Sequence, residues 1–145
     1  MGASRYVSLY RTRIAHVLVA QGRDEDALAE LEQARHIYGE APSWKAARAR
    51  ALARRGKTEE SVTLAREAVD SMAGNDDITA RAETLVDFAE VLRAHGDLVD
   101  AGDALAEAVA LHEEKGNVLP AERCRQLLAA IAAGRRQQWS GDPVN

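Results

Sequence analysis

A repeated arrangement of glycine, leucine and alanine constrains the fold of this chain more than any other feature. Gly22, Gly56 and Gly96 stand 34 and 40 residues apart. Around each glycine, leucine lies four residues before, small residues lie seven before and five after, and alanine lies twelve after. The positions concerned are Leu18, Leu52, Leu92, Ala15, Ala49, Ala89, Ala27, Ser61, Ala101, Ala34, Ala68 and Ala108. Because a helix–turn–helix repeat has a period of about 34 residues, the arrangement predicts a series of paired helices.

Each residue type in this arrangement suits two antiparallel helices that pack closely. Glycine ends a helix well because it adopts the left-handed backbone without a Cβ clash. Small residues let the helices approach, and leucine fills the space between them. Alanine, about a fifth of the chain, costs least in a helix interior. We therefore predict an all-α fold with seven helices, at residues 4–21, 24–39, 43–55, 58–73, 77–95, 98–115 and 118–134.

Over residues 8–115 these positions resemble the tetratricopeptide repeat. The resemblance implies a right-handed α-solenoid of three helical hairpins, at residues 8–41, 42–75 and 82–115, closed by a C-terminal capping helix at 118–134. Residues 1–134 are then a single domain, and residues 135–145 are expected to form a flexible tail. The segment from Trp44 to Leu128 contains an Arg-Arg-Gly turn at 54–56, the run Asp-Phe-Ala-Glu-Val-Leu at 87–92 and the junction Glu-Lys-Gly-Asn at 114–117. With these residues it also resembles the helical tails of large actinobacterial ATPase, cyclase and transcription regulators, which implies a bacterial regulatory protein.

Charge and composition argue against several classes of protein. The net charge of −4 is unsuited to a dedicated binder of nucleic acid or anionic membrane, and the basic residues between Lys45 and Lys57 are interpreted as a solvated helix flank. No apolar run approaches the roughly 20 residues that span a bilayer, and the N-terminus lacks the apolar core of a signal peptide. We therefore expect a cytoplasmic protein that contacts neither nucleic acid nor membrane.

The sequence contains no arrangement typical of catalysis. Cys124 lies on the apolar stripe of the last predicted helix, which favours a buried thiol over a nucleophile. The glycines are isolated and form no phosphate-binding loop. The four histidines fall on four different predicted helices, without the spacing of metal ligands; they are His16, His36, His95 and His112. We expect neither an enzyme, nor a cofactor, nor a metal site.

The resemblance implies a concave groove lined by the first helix of each hairpin. Projected onto this sequence, its lining is Leu9, Thr12, Arg13, His16, Val19, Ser43, Ala46, Ala47, Arg50, Arg54, Glu83, Val86, Asp87, Glu90 and Arg93. The groove is predicted to be basic along the first two hairpins and acidic along the third. The predicted partner-binding residues are Arg13, His16, Arg50, Arg54, Glu83, Asp87 and Glu90. In the alternative interpretation these charges pair with one another, Arg50 with Glu83 or Glu90 for instance, and only hold the helices together.

The function predicted from the groove is that of a non-catalytic scaffold or regulatory module for a protein or peptide, including a domain of a larger regulator. Chaperone-type acidic C-terminal peptides are excluded, because the positions that would hold the carboxylate are Thr12, His16, Ala47, Glu83 and Asp87. Two alternatives remain. One is a sensor of a small ligand or short peptide, with apolar walls from Leu9, Val19 and Val86. The other is a homo-oligomerisation module that uses the convex face or Trp139 and exposes a contiguous apolar patch.

Overall fold

The computed structural model describes residues 2–139, and this part of the chain is helical without any strand. The all-α prediction is confirmed, and six of the seven predicted helices have both ends within two residues of those observed. The helices are α1 Gly2–Ala20, α2 Asp24–Tyr38, α3 Pro42–Arg54, α4 Thr58–Met72, α5 Ile78–His95, α6 Leu98–Lys115 and α7 Val118–Trp139. None of them is both long and apolar enough to cross a lipid bilayer.

The last helix, α7, is longer than the sequence predicted. Residues 135–139, which were expected to lie in a flexible tail beyond the last helix, continue the helix to Trp139. The physical reason is the run of alanines around Ala130 and Ala133, since alanine is the strongest helix former and a helical Gly134 costs only about 1 kcal/mol. Residues 140–145 of the expected tail lie outside the described residues.

The repeated glycines end helices as predicted, and the repeated leucines take part in the same turns. Gly96 has a left-handed backbone with φ of 96°, which turns the chain so that the next N–H, of Asp97, donates to the Leu92 carbonyl at 2.9 Å. This is the hydrogen bond expected where a helix ends at a left-handed glycine. Equivalent bonds of 2.8 and 3.0 Å reach the carbonyls of Leu18 and Leu52. The leucine therefore accepts the hydrogen bond that closes each turn.

The small residues of the repeated arrangement all lie in the core. Ala15, Ala49 and Ala89 are at most 1% exposed, and so are the small residues five and twelve positions after each glycine. Larger apolar side chains pack around them in two clusters, one centred on α5 and α6 and the other formed by α1, α2 and the start of α3. Because the alanines allow close approach, these positions leave little room for larger side chains.

Trp44 connects α3 to α2 through its indole ring. The ring is 3% exposed, and its Nε1–H donates a hydrogen bond of 2.6 Å to the carbonyl oxygen of Leu31. Arg48, one turn later on α3, lies over the ring at 5.7 Å from its centroid. A buried tryptophan usually finds a partner for its N–H, and this one finds it on the neighbouring helix.

Each helix packs against the next one in the chain, and α3 also packs against α1 and α5. The helices α1, α3 and α5 are therefore neighbours in space. Within the described residues, helices more than two positions apart in the chain make no substantial contact. This order of packing brings side chains from three separate segments onto one surface.

Candidate functional site

Four of the seven predicted partner-binding residues come together across α1, α3 and α5. They are His16, Arg50, Asp87 and Glu90, which we call the charged row. Arg50 lies at its centre: its Nη1 is 3.3 Å from Nδ1 of His16 and 3.5 Å from Oδ1 of Asp87. Its Nε is 2.8 Å from Oε2 of Glu90. One guanidinium on α3 thus links a histidine of α1 to two carboxylates of α5.

The other three predicted residues do not join the charged row. Arg54 pairs with Asp24 of α2 at 2.9 Å, and so contributes to the contact between α2 and α3. Arg13 and Glu83 are exposed and form no ion pair within the described part of the chain. They lie on α1 and α5 respectively, the two helices on either side of α3.

Several residues that were predicted to line an open groove are buried instead. Thr12, Val19, Ala46 and Ala47 are at most 2% exposed, because α1 and α3 pack against each other as well as against α2. Arg50 and Asp87, which were also predicted to line the groove, are largely covered as well.

The side chains of Arg50 and Asp87 are only 18% and 15% exposed. The pairing of Arg50 with Glu90, weighed above as the alternative to binding, is present. The pairing of Arg50 with Glu83 is not found, since the exposed Glu83 forms no ion pair with any described residue.

Burial dominates the electrostatics of Asp87. Removal from water raises the pKa of its carboxyl to about 7, the Arg50 guanidinium opposes this shift, and the nearby charges of Glu90 and Glu83 add to it. An acid in such a site favours its neutral form because the buried carboxylate is costly. Asp87 can therefore exchange a proton with solvent close to neutral pH.

His16 is shifted in the opposite direction, because burial disfavours the charged form of an imidazole. Burial and the neighbouring Arg50 charge lower the pKa of His16 to about 4, against a hydrogen bond to the backbone of Ser43 that raises it. A guanidinium has no acceptor, so Nδ1 of His16 accepts the hydrogen bond from Arg50. At neutral pH, His16 is uncharged and Nδ1 carries no proton.

The pairing of Arg50 with Glu90 is close but poorly directed. Although the two atoms are 2.8 Å apart, the buried Nε of Arg50 makes no hydrogen bond. An N–H that is buried without an aligned acceptor loses its hydrogen bond to water without a full replacement, which costs free energy. The charged row is therefore held mainly by Coulomb attraction, with one donor incompletely satisfied.

Other chemistry-bearing residues lie apart from the charged row. Cys124 is buried as predicted, at 3% exposure, and burial raises the pKa of its thiol, which disfavours the reactive thiolate. No group of three or more His, Cys, Asp or Glu side chains in the described residues is arranged to hold a metal ion. Val19, one of the three apolar walls predicted for a ligand pocket, lies in the core.

An apolar crevice instead lies between α5, α6 and α7, lined by Ala89, Glu90, Arg93, Leu105, Leu127 and Ile131. It borders the charged row at Glu90.

Sequence reasoning missed a second surface, formed by exposed apolar side chains on α1. Five of them recur at intervals of one to four residues: Tyr6, Val7, Tyr10, Ile14 and Val17. The spacing of the last four, at three, four and three residues, was the available signal, since it marks one face of a helix. The repeated arrangement gives no information on this face, because its positions on α1, Ala15 and Leu18, lie on the buried side of the helix.

No family model matches the chain, and comparisons with curated proteins and with solved structures likewise give no match. The resemblance to the tetratricopeptide repeat rests on the repeated residues quoted above.

Proposed function

We propose that this chain is a non-catalytic protein-binding module of the tetratricopeptide kind. In this proposal, α1 to α6 form three helical hairpins of a right-handed α-solenoid, α7 caps them, and α1, α3 and α5 line a groove for a protein or peptide partner. The proposal is supported by the packing of α3 against both α1 and α5, which is the order in which the first helices of successive hairpins meet in such a repeat.

The observation that carries the binding role is a pair of exposed, opposite charges on α1 and α5, the two helices that pack on either side of α3. Arg13 on α1 and Glu83 on α5 have no ion-pair partner among the described residues. Between them, Arg50 is already neutralised by the carboxylates of α5. Such a surface suits an extended segment that carries an acidic and a basic side chain a few residues apart, because complementary charges fix the position of a bound peptide.

A charge reversal at Glu83 tests this proposal without disturbing the core. The wild-type chain and Glu83→Arg are used to capture proteins from a lysate of the source organism, and each captured protein is then purified and titrated by calorimetry. We expect Glu83→Arg to lower the affinity for the specific partner by about tenfold or more, which corresponds to about 1.4 kcal/mol.

Glu107→Arg is the matched control, because Glu107 is likewise exposed on a helix, α6, and forms no ion pair within the described residues. The affinity of Glu107→Arg for the partner is expected to stay within about twofold of wild type, because α6 is not one of the three helices that line the proposed groove. Equal losses in the two variants, or no loss in either, would exclude the groove as the binding surface. Sub-micromolar binding of an acidic C-terminal peptide would also contradict the proposed charge of the groove, because the exposed Glu83 would face its carboxylate.

A further inference from the structure

The helix α1 has two apolar faces, and only one of them is covered. Its buried residues are Ser8, Thr12, Ala15, Leu18 and Val19. The opposite face carries Tyr6, Val7, Tyr10, Ile14 and Val17, which we call the α1 stripe. Tyr6, Tyr10 and Val17 are 63%, 65% and 55% exposed. A helix that is apolar on its solvent side departs from the usual amphipathic pattern, so this face needs a physical explanation.

We propose that the α1 stripe is a docking surface for an amphipathic helix of a partner protein, one whose apolar stripe is flanked by Asp and Glu residues. This surface contains no residue of the charged row and goes beyond the proposed groove, with which it shares only Arg13 at its border.

Clustering distinguishes the α1 stripe from ordinary exposed apolar residues. Of the eleven large apolar side chains exposed in the described part of the chain, five lie on this one helix face. Singly exposed apolar residues are common and carry no message, whereas a contiguous group on a folded domain marks a contact surface. From Tyr6 to Val17 the stripe follows three turns of α1, about 17 Å at 1.5 Å per residue. A partner helix of similar length would cover it, in the manner of helices that lay an apolar face on a complementary surface.

Charge identifies the chemistry of the partner helix. Arg5, Arg11 and Arg13 are the charged residues of α1, which has no Asp or Glu. Arg13 follows Tyr10 by three residues and precedes Val17 by four, so it borders one side of the stripe. Arg11 follows Val7 by four residues and precedes Ile14 by three, so it borders the other side.

The two arginines differ in their partners. Arg11 is paired with Glu30 at 2.9 Å, whereas Arg13 forms no ion pair with any described residue. The uncompensated positive charge therefore lies at Arg13, and a partner helix with Asp or Glu residues on its flanks complements it. A second copy of α1 would bring only further arginines to the contact, so charge disfavours pairing of the stripe with itself.

The test uses two synthetic helical peptides of about 20 residues. Both have leucine at intervals of three and four residues; one carries Glu on both flanks, and in the other every Glu is replaced by Lys. Each is labelled and titrated with the full chain by fluorescence anisotropy at low salt. We expect the Glu peptide to bind about tenfold or more tightly than the Lys peptide, with the difference shrinking as salt is added.

Paired variants locate the binding. Tyr10→Ser with Ile14→Ser removes the centre of the stripe and is expected to weaken the Glu peptide about tenfold or more. Val99→Ser with Leu119→Ser is the matched control, because these two residues are 53% and 72% exposed on other helices, and it is expected to bind as wild type. All four substitutions are at exposed positions, so the helical circular dichroism of both variants is expected to be that of wild type.

Three results would overturn the proposal. In the first, the two peptides bind with equal affinity or neither binds. In the second, the stripe variant binds the Glu peptide as tightly as wild type does. In the third, the wild type sediments as a dimer and the stripe variant sediments as a monomer. The last would make the occupant a second copy of this chain. Glu83→Arg is expected to bind the Glu peptide as wild type does, because Glu83 lies on α5, so the stripe and the groove can fail independently.

Discussion

Arg50 lies between His16 and Asp87, and its Nη1 is within 3.5 Å of a side-chain atom of each. The two neighbours are shifted in opposite senses. Burial lowers the pKa of the His16 imidazole to about 4 and raises the pKa of the Asp87 carboxyl to about 7. Both shifts favour the uncharged side chain beside a guanidinium that stays charged at every accessible pH.

These shifts predict opposing effects of pH on stability. Between pH 4 and 6.5 the folded chain binds fewer protons at His16 than the unfolded chain does, so this site stabilises the fold above pH 6.5 and that stability is lost as the pH falls towards 4. Between pH 3.8 and 7 the folded chain binds more protons at Asp87, so the free energy of unfolding decreases as the pH rises through that window. In the wild type the two contributions largely cancel over the range they share.

A substitution that removes one titrating site is expected to reveal the pH dependence of stability that the other site contributes. Relative to wild type, Asp87→Asn is expected to make the free energy of unfolding rise more steeply from pH 4 to 6.5, by roughly 1–3 kcal/mol over the window. His16→Gln is expected to change the slope in the opposite direction. Urea denaturation at several pH values measures both slopes, and slopes that change in the same direction would show that these two groups are not the ones titrating.

The indole hydrogen bond of Trp44 predicts a specific loss of stability. Trp44→Phe keeps a buried aromatic ring but removes the donor to the Leu31 carbonyl, and it is expected to cost about 1–2 kcal/mol. Thermal unfolding followed by circular dichroism measures the change. Arg48→Gln, which removes only the cation above the ring, is expected to cost less than about 1 kcal/mol. A larger loss for Arg48→Gln than for Trp44→Phe would contradict the assignment.

Two glycines predict opposite results for the same substitution. An added Cβ meets no atom within 4 Å at Gly96 or at Gly102, but only Gly96 has a positive φ, of 96°. Gly96→Ala is expected to destabilise the chain by about 1 kcal/mol, because it places a Cβ on a left-handed backbone. Gly102→Ala, within α6, is expected to stabilise it by about 0.5–1 kcal/mol, because alanine loses less entropy in a helix. Urea denaturation gives both values, and the same sign for both would refute the argument from φ.

The buried alanines predict that overpacking is costly. Ala49→Leu and Ala89→Leu each insert a large side chain at a position that is at most 1% exposed, and each is expected to cost roughly 1–3 kcal/mol. The control is Ala106→Leu, at an exposed position of α6, which is expected to stay within about 0.5 kcal/mol of wild type. Urea denaturation distinguishes the two classes. An unchanged midpoint for Ala49→Leu would mean that the helices are not in close contact there.

The helices could be predicted from the sequence because their signals are local. The turn at Gly56, for example, lies entirely within the short segment from Leu52 to Lys57, because the Lys57 N–H donates to the Leu52 carbonyl. The end of α7 was the exception. There, Gly134 follows a run of alanines, and the preference of the alanines for helix outweighs the cost of a glycine in the helix.

The site was less predictable because its properties depend on which helices become neighbours. The sequence predicted that Arg50 and Asp87 lie on the first helices of two hairpins. It did not predict how far the packing of α3 against α1 and α5 buries these side chains. The packing of α3 against α5 buries Asp87, and this burial raises the pKa of its carboxyl. Glu83, four residues earlier on the same helix, remains exposed. The α1 stripe was missed for a different reason, since an exposed apolar face looks like a core face until the tertiary contacts are known.

The restriction of contacts to helices one or two positions apart has a consequence for how the chain loses its structure. Within the described residues, α1 and α7 have no substantial contact with a common neighbouring helix, so we expect cooperativity to be transmitted stepwise from helix to helix. Opening can therefore begin at either end and spread inwards. The backbone amides of α3 and α5, which have neighbours on several sides, would exchange their hydrogens last, and the protection along the chain would be graded rather than uniform.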